Sequence, residues 1–130
     1  MVSGVKRTER GWPGHLCVCN SCLFKLNTLL EYGDKKIVVS TIGKYVNPEK
    51  KIDTIGLNRW YETMCFEGHE ENGYIEADVT KEIPIDQEWG IWGESWEEVL
   101  ANYPKVDNNA SQMHENIVQE MIAKLKENRL

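Results

Sequence analysis

A tight-turn signal between two β-forming segments constrains the fold of this chain most. Residues 27–32 and 36–42 are rich in residues that favour strands, and Gly33-Asp34 lies between them. Gly and Asp readily adopt the backbone conformations of a tight turn, so the pattern predicts an antiparallel hairpin. Ile37-Val38-Val39 is apolar at consecutive positions, which is typical of a strand covered on both faces. The sequence therefore predicts a central strand within a hairpin-rich sheet.

Two further regions extend the predicted sheet. Residues 15–24 combine β-forming residues with an Asn-Ser break and predict a first strand. Residues 59–80 predict a second hairpin, with a loop over 68–73. Its second strand alternates between apolar and polar residues, so one face should contact the core. The residues of that face are Ile75, Ala77 and Val79.

Two helices are predicted after the strands. Ser95-Trp-Glu-Glu98 is a capping box, which opens a short helix that ends before Pro104. A second helix should begin near residue 109 or 111 and carry an apolar stripe toward the sheet. His114 lies off this stripe, so we expect it to be exposed. The residues of the stripe are Met113, Ile117, Val118, Met121, Ile122 and Leu125.

Strands followed by helices indicate an α+β fold. We predict an antiparallel, hairpin-rich sheet of about five strands over residues 15–80, packed by a short helix and a longer C-terminal helix. Residues 1–14 are predicted to form an extended arm, and residues 95–128 the helical part. A chain of 130 residues has the size of one domain, so residues 1–130 are treated as a single domain.

The sequence indicates neither a membrane segment nor a cofactor. No apolar run is long enough for a membrane helix, and the charged first residues lack the apolar centre of a signal peptide. A cytoplasmic location is therefore expected. The chain contains no phosphate-binding glycine loop and no His-Glu-x-x-His motif, so no cofactor is predicted.

Negative charge is concentrated in one stretch of the chain. The net charge is −6, and residues 67–98 alone contain eleven acids and one base, Lys81. Such a block repels nucleic acid and attracts basic surfaces. We therefore expect a basic protein surface as partner, and neither nucleic acid nor a membrane. The alternative is a solvated acidic face without a partner. The oligomeric state stays open.

Three tryptophans lie inside this acidic stretch, at spacings of three and four residues. Gly90 and Gly93 lie between them and disfavour a helix, so we predict a loop that carries aromatic side chains over an acidic surface. Aromatic side chains bury a large area with few rotatable bonds and are enriched in binding sites. The alternative is that they cap the core. The predicted binding residues are Trp89, Trp92, Trp96, Glu94, Glu97 and Glu98.

Carboxylates on two neighbouring predicted strands form a second candidate site. Glu62 shares its strand face with apolar residues, and burial there would suit it to general acid–base catalysis. Glu76 and Asp78 share one face of the next strand, where they could share a proton or hold a cation. Cross-strand pairing on a solvated face is the alternative. The candidate catalytic residues of a small enzyme are Glu62, Glu76, Asp78, His15 and Arg59.

Four cysteines leave a zinc site open. Cys17, Cys19 and Cys22 form a C-x-C-x-x-C pattern, and Cys65 lies far along the chain. Four such ligands suit tetrahedral zinc, and a nearby histidine could replace one of them. Structural zinc sites usually pair two C-x-x-C units, whereas this sequence has one. Small core residues with one or two exposed thiols are therefore the main expectation.

Several segments in the first two thirds of the chain also carry a resemblance. They are Arg10-Gly-Trp-Pro-Gly-His15, Asn27-Thr-Leu-Leu-Glu31, Val38-Val-Ser-Thr-Ile-Gly43 and Tyr61-Glu-Thr-Met64. Together they resemble a family of small bacterial, phage-borne and plasmid-borne proteins of uncharacterised activity. The resemblance covers residues 10–80 and implies a bacterial or mobile-element setting. It implies no catalytic residue, and its pattern does not include Cys17 and Cys19.

Three functions follow from the sequence as hypotheses. The first is an interaction module that uses the acidic, Trp-rich surface. The second is a small enzyme with a carboxylate and histidine site on the sheet, and the third is a zinc-stabilised domain. The interaction module is favoured, because charge and aromatic residues are concentrated in the same stretch.

Overall fold

An antiparallel sheet with a long helix packed on one face forms the described part of the chain. The computed structural model describes residues 4–11 and 20–130. The strands are β1 (Lys6–Glu9), β2 (Cys22–Tyr32), β3 (Lys35–Val46), β4 (Ile52–Asp53), β5 (Arg59–Glu71), β6 (Tyr74–Ile83) and β7 (Gly90–Trp92). The helices are α1 (Trp96–Asn102) and α2 (Val106–Lys126). The predicted α+β fold is confirmed, with more strands than the five expected.

The strand order is β1-β2-β3-β5-β6, with β4 beside β3 and β7 beside β5. β2 and β3 form the predicted hairpin, in which Tyr32 pairs with Lys35 across Gly33-Asp34. Gly33 has a φ of 63°, which a glycine adopts without steric cost. β3 pairs with β5 on its other side, and Val38 and Val39 on opposite faces are both buried. The prediction of a central strand covered on both faces is confirmed.

The second hairpin is longer than predicted. β5 continues through most of the stretch that was expected to be a loop over 68–73, and the chain turns at Asn72-Gly73. Both turn residues have positive φ, at 52° and 86°. Asn-Gly favours a two-residue turn whose twist matches that of the strands. The loop prediction was therefore wrong, because the two-residue Asn72-Gly73 turn leaves residues 68–71 in β5.

A bulge interrupts the pairing of β6 with β5. Gly68 pairs with Ala77, whereas Phe66 pairs with Glu82, so residues 78–81 are inserted between two paired positions. A bulge of this kind breaks the two-residue alternation of a strand. Val79 is accordingly 62% exposed. The expectation that Val79 faces the core was wrong for this reason.

Part of the predicted N-terminal arm is a strand. β1 pairs antiparallel with β2 along its whole length. Arg10 follows β1; its Nε donates to Asn27 Oδ1 at 2.9 Å and its Nη1 donates to the backbone carbonyl of Ile75 on β6. The sheet thus curls until its first and last strands approach each other. Of the first strand predicted over 15–24, residues 22–24 belong to β2, and residues 15–19 lie outside the described ranges.

The two helices confirm the capping and stripe predictions. Ser95 Oγ accepts a hydrogen bond from the Glu98 backbone N at 3.1 Å, which caps α1 as the capping box predicts. α2 begins at Val106, earlier than expected, and its apolar stripe packs against β2, β3 and β5. Ile122 is the partly buried member of this stripe. Neither helix in the described part is long and apolar enough to cross a membrane.

Replacing Ile117 with Ala should lower the free energy of unfolding by about 3 kcal/mol, because the deleted methyl groups leave a cavity between α2 and the sheet. Ile122→Ala is the matched control on the same helix and should cost about 1 kcal/mol, since Ile122 is partly buried. Urea unfolding followed by far-UV circular dichroism measures both values. Equal losses would contradict the packing of the stripe.

Candidate functional site

A surface groove opens beside β5 where its two edge partners separate. β7 pairs with β5 as far as Glu62, and β6 pairs with it from Cys65 onward. Residues 84–89, which we call the link, connect β6 to β7 across this gap, and Trp89 O accepts a hydrogen bond from Thr63 N at 2.8 Å. The groove has a volume of about 460 Å³. Its apolar walls are formed by Ile55, Met64, Pro84, Ile85 and Trp89.

Helix α2 holds the link in place. Lys124 is nearly buried, and its Nζ lies 2.9 Å from Glu120 Oε2 and 3.1 Å from Asp86 Oδ2. The same ammonium group donates to the carbonyl of Pro84 at 3.3 Å. Glu120 also accepts hydrogen bonds from the Asp86 backbone N and from Gln87 Nε2. One wall of the groove is therefore fixed to the helix by charge-assisted hydrogen bonds.

Glu62 and Arg59 meet on the floor of the groove. A regular strand would direct these two side chains to opposite faces. A register shift between Arg59 and Tyr61 breaks that alternation and brings Arg59 to the side of Glu62. Arg59 Nε lies 2.5 Å from Glu62 Oε1, and the Glu62 side chain is 2% exposed. The sequence prediction of a buried Glu62 beside Arg59 therefore corresponds to a real juxtaposition.

Arg59 is held by two further contacts. Its guanidinium carbon lies 5.7 Å from the ring centroid of Trp89, which is a cation–π distance. On another side it lies against Gly56, where an added Cβ would come within 2.3 Å of Arg59 Nη2. Among the described residues no acceptor lies in line with the Arg59 Nε–H, so its contact with Glu62 is an ion pair without an aligned hydrogen bond. The positive charge of Arg59 and the negative charge of Glu62 therefore neutralise each other within the groove.

Trp89 and Trp92 form an exposed aromatic pair at the mouth of the groove. Their rings meet edge to face, with centroids 5.1 Å apart, and they are 37% and 38% exposed. The Trp92 ring lies over Gly90, where an added Cβ would come within 2.5 Å of it. Leu57, also strongly exposed, precedes Asn58, whose carbonyl accepts from the Gly93 backbone N at 2.9 Å. Three exposed apolar side chains thus occupy this end of the sheet.

The third tryptophan has a different environment. Trp96 packs against Trp60 and Tyr61, with ring centroids 5.6 and 6.3 Å away, at the edge of the hydrophobic core. The loop predicted for the Trp-rich segment also contains β7. The structure therefore separates Trp96 from the exposed pair Trp89–Trp92.

The acids predicted to bind a partner lie at the start of α1. Glu94, Glu97 and Glu98 are all exposed. Glu98 Oε2 also accepts a hydrogen bond from the Glu94 backbone N at 2.5 Å, so this carboxylate ties the residue before the N-cap to the first turn of α1. Glu97 lies in the first turn of α1, and Glu94 lies just before the N-cap Ser95. The three acids remain candidates for contact with a basic group.

The structure does not bring Glu76 and Asp78 to the groove. Glu76 pairs with His69, seven residues along β5 from Glu62, which is roughly 23 Å of strand. Asp78 lies in the bulge of β6 and accepts hydrogen bonds from the Thr80 backbone N and hydroxyl, at 3.0 and 2.6 Å. His15 lies outside the described residues. Of the four candidate catalytic residues that the structure describes, Glu62 and Arg59 are therefore the two that meet.

The structure also separates two of the four cysteines. Cys22 pairs with Tyr45 and Cys65 pairs with Val39, six residues apart along β3, which is roughly 20 Å. Both thiols are buried, in different apolar clusters. Cys22 and Cys65 cannot bind the same metal ion, so the proposed set of four ligands does not form. Residues 17 and 19 lie outside the described ranges.

A larger depression of about 550 Å³ lies between the β2–β3 turn and the end of α2. Its lining includes Lys35, Lys36 and Arg129 together with Glu67 and Glu82, so both signs of charge are present. It contains none of the residues predicted from the sequence to act in a site. The smaller groove, which contains Arg59, Glu62 and Trp89, is therefore the stronger candidate.

His114 forms a buried polar connection that the sequence did not predict. It is 3% exposed, contrary to the expectation of an exposed side chain. Its Nε2 lies 2.8 Å from Thr28 Oγ1 on β2, and its Nδ1 lies 2.6 Å from Thr41 Oγ1 on β3. Because burial disfavours the charged imidazolium, the pKa of His114 falls to about 4. α2 is thus joined to the centre of the sheet through a neutral imidazole.

The connection continues on both sides of His114. Thr41 Oγ1 lies 2.6 Å from Thr63 Oγ1, and Thr28 Oγ1 donates to Glu9 Oε1 at 2.6 Å. Polar pairs in the middle of three apolar strands are the sequence signal that would have revealed this cluster. The pairs are Asn27-Thr28, Ser40-Thr41 and Glu62-Thr63.

Comparisons with known proteins do not assign this chain to a family. No family model matches it, and neither the curated proteins nor the solved structures contain a match. The resemblance over residues 10–80 therefore stays a prediction.

Breaking the Arg59–Glu62 pair from one side should destabilise the fold. Arg59→Met leaves the buried Glu62 carboxylate without this partner, and we expect a loss of about 2 kcal/mol. The loss should be smaller than for a fully buried pair because the Arg59 side chain is 26% exposed. The double variant with Glu62→Gln should cost less than the sum of the single variants, as measured by a double-mutant cycle in urea.

The exposed ion pair Arg129–Glu127 provides the control for this cycle. Its coupling energy should be below about 1 kcal/mol, since exposed pairs contribute little. If the effects at Arg59 and Glu62 are additive, the ion pair does not stabilise the groove.

Acid should destabilise the fold through His114. Its pKa is about 4 in the folded protein and 6.5 in the unfolded chain, so the unfolded state binds the proton first as the pH falls. The stabilisation is complete above pH 6.5 and should decline by about 3 kcal/mol as the pH falls to 4. Urea unfolding across this range should show a weaker decline for His114→Gln. The control is His69→Gln, at an exposed histidine, and its stability should depend on pH as that of the wild type does. If the decline in His114→Gln equals that of the wild type, His114 is not the source of the acid sensitivity.

Proposed function

We propose that this chain is a binding module that holds a basic segment of a protein partner along its acidic edge. The acidic edge is residues 67–98, which include the end of β5, all of β6, the link, β7 and the start of α1. The single observation that supports this most is the exposed Trp89–Trp92 pair, which lies within that edge. Exposed aromatic rings held in place give a partner a large contact area at little entropic cost.

The topology supports the proposal because it arranges the charge along one border. β7, the link and β6 follow one another along the same side of β5. A block with a net charge of −10 is therefore spread along one margin of the sheet. A field of one sign accelerates the approach of oppositely charged segments and disfavours nucleic acid.

Two other functions have weaker support. The first is protection of a sheet edge, because acids on an edge strand prevent unwanted pairing between sheets. This function would account for the charge of β6, but it would not explain the exposed tryptophans. The enzyme hypothesis retains Glu62 and Arg59, which neutralise each other in an ion pair. A carboxylate held this way is a poor general base. The interaction module therefore agrees best with the geometry.

The setting that we propose is the cytoplasm of a bacterium, or of a host that carries a mobile element. The segments that resemble bacterial, phage-borne and plasmid-borne proteins support this origin, and the free, buried thiol of Cys65 agrees with a reducing compartment.

Binding of labelled peptides by fluorescence anisotropy tests the proposal. The probes are a lysine- and arginine-rich peptide and an acidic peptide of equal length. We expect the basic peptide to bind and its affinity to fall as salt is added. The triple variant Glu94→Gln, Glu97→Gln, Glu98→Gln should weaken binding about tenfold, because three favourable charges are lost.

The control removes three exposed acids elsewhere, with Asp34→Asn, Glu49→Gln and Glu127→Gln. Both triple variants have the same net charge, so a difference between them reports on position. Equal weakening by both, or no binding of the basic peptide by the wild type, would overturn the proposal.

A further inference from the structure

The groove contains charged groups that have already neutralised each other. Arg59 Nε lies 2.5 Å from Glu62 Oε1, and the guanidinium also lies over Trp89. The other acid in the lining, Glu82, is exposed. An anionic side chain that enters would meet Glu62 and Glu82. A cationic one would be attracted by the exposed Glu82 but would meet Arg59 on the floor, where Glu62 is already paired. Either would be desolvated next to a like charge.

The remaining lining is apolar. Ile55, Met64, Pro84, Ile85 and Trp89 form the walls, and they come from three parts of the chain: the segment before β5, β5 itself and the link. A volume of about 460 Å³ corresponds to roughly fifteen water molecules. An uncharged apolar side chain would displace some of this water and leave the Arg59–Glu62 pair intact. Its burial would be favourable in proportion to the apolar area removed from water.

The surroundings set the chemistry of the chain that carries this side chain. The groove opens within the acidic edge, with Glu82 in its lining, and Asp86 and Glu88 lie in the link above it. Flanking residues of a bound segment would therefore run past carboxylates. Lysine and arginine flanks suit that path, whereas acidic flanks would be repelled.

We propose that the groove is an anchor pocket for one large uncharged apolar side chain, leucine, methionine or phenylalanine, set within a basic segment of the partner. This inference rests on the proposed function and adds to it the residue that the groove selects. The acidic edge supplies long-range attraction, and the groove fixes the position of the segment along it. Arg59 and Glu62 form an electrically neutral floor and do not contact the partner's charges.

Three short peptides test the anchor. The first has basic flanks around a central leucine, the second has the same flanks around a central serine, and the third has acidic flanks around the leucine. We expect the first to bind at least about tenfold more tightly than the second, because the serine forgoes burial of an apolar side chain. The intrinsic tryptophan fluorescence of the protein should shift with the leucine peptide, through Trp89, and remain nearly unchanged with the serine peptide.

Two neutral substitutions locate the effect. Met64→Gln puts a polar amide into the groove wall and should reduce the preference for leucine over serine severalfold. Leu23→Gln makes the same kind of change at an exposed site on β2 outside the groove and should leave the preference unchanged. Urea unfolding of both variants shows whether each still folds. Trp89→Ala, read by anisotropy, gives a second groove variant if Met64→Gln is unstable.

The outcomes separate the two proposals. If neither basic peptide binds, or if the acidic leucine peptide binds as tightly as the basic one, the proposed function fails. If both basic peptides bind equally, the proposed function stands and the anchor pocket is rejected. A leucine preference that survives in both Met64→Gln and Trp89→Ala would also reject the groove as its source.

Discussion

The edge of β5 is the constraint on which the candidate site depends. One thirteen-residue strand pairs along this edge with β7 first and with β6 farther on. Neither partner covers the interval around Thr63 and Met64, so the link must cross it. The groove is therefore a result of strand pairing. Acidic charge lies on the same border because Glu76, Asp78 and Glu82 belong to β6, and Asp86 and Glu88 belong to the link.

The sequence predicted the fold well wherever local chemistry and periodicity agree. The Gly33-Asp34 turn, the Ser95 cap and the four-residue apolar spacing of α2 each act over a few residues, and each is found in the structure. The bulges are different, because they depend on how two distant strands fit together. The insertion over residues 78–81 has no local signal, and it reversed the expected direction of Val79.

The candidate site could be predicted in part for the same reason. Alternation along a strand placed Glu62 among apolar residues, but the contact with Arg59 arises from a bulge that alternation cannot reveal. His114 was missed because a polar residue beside an apolar stripe is normally solvated. Here two threonine hydroxyls on the facing sheet, from Thr28 and Thr41, supply hydrogen bonds in place of water. Such a match between helix and sheet can be recognised only when both surfaces are known.

The hydrogen bonds that connect Thr63, Thr41, His114, Thr28 and Glu9 all donate in the same direction along the series. Burial opposes the ionisation of Glu9, but hydrogen bonds from Arg7 and Thr28 hold the pKa of Glu9 below its usual value. The Glu9 carboxylate therefore accepts the single hydroxyl proton of Thr28. Thr28 must then accept from His114 Nε2–H, which leaves Nδ1 to accept from Thr41, and Thr41 to accept from Thr63. Each donor in this series of hydrogen bonds therefore donates to the neighbour that lies nearer to Glu9. The tautomer of a histidine at the centre of the molecule is thus decided by a carboxylate on its outermost strand.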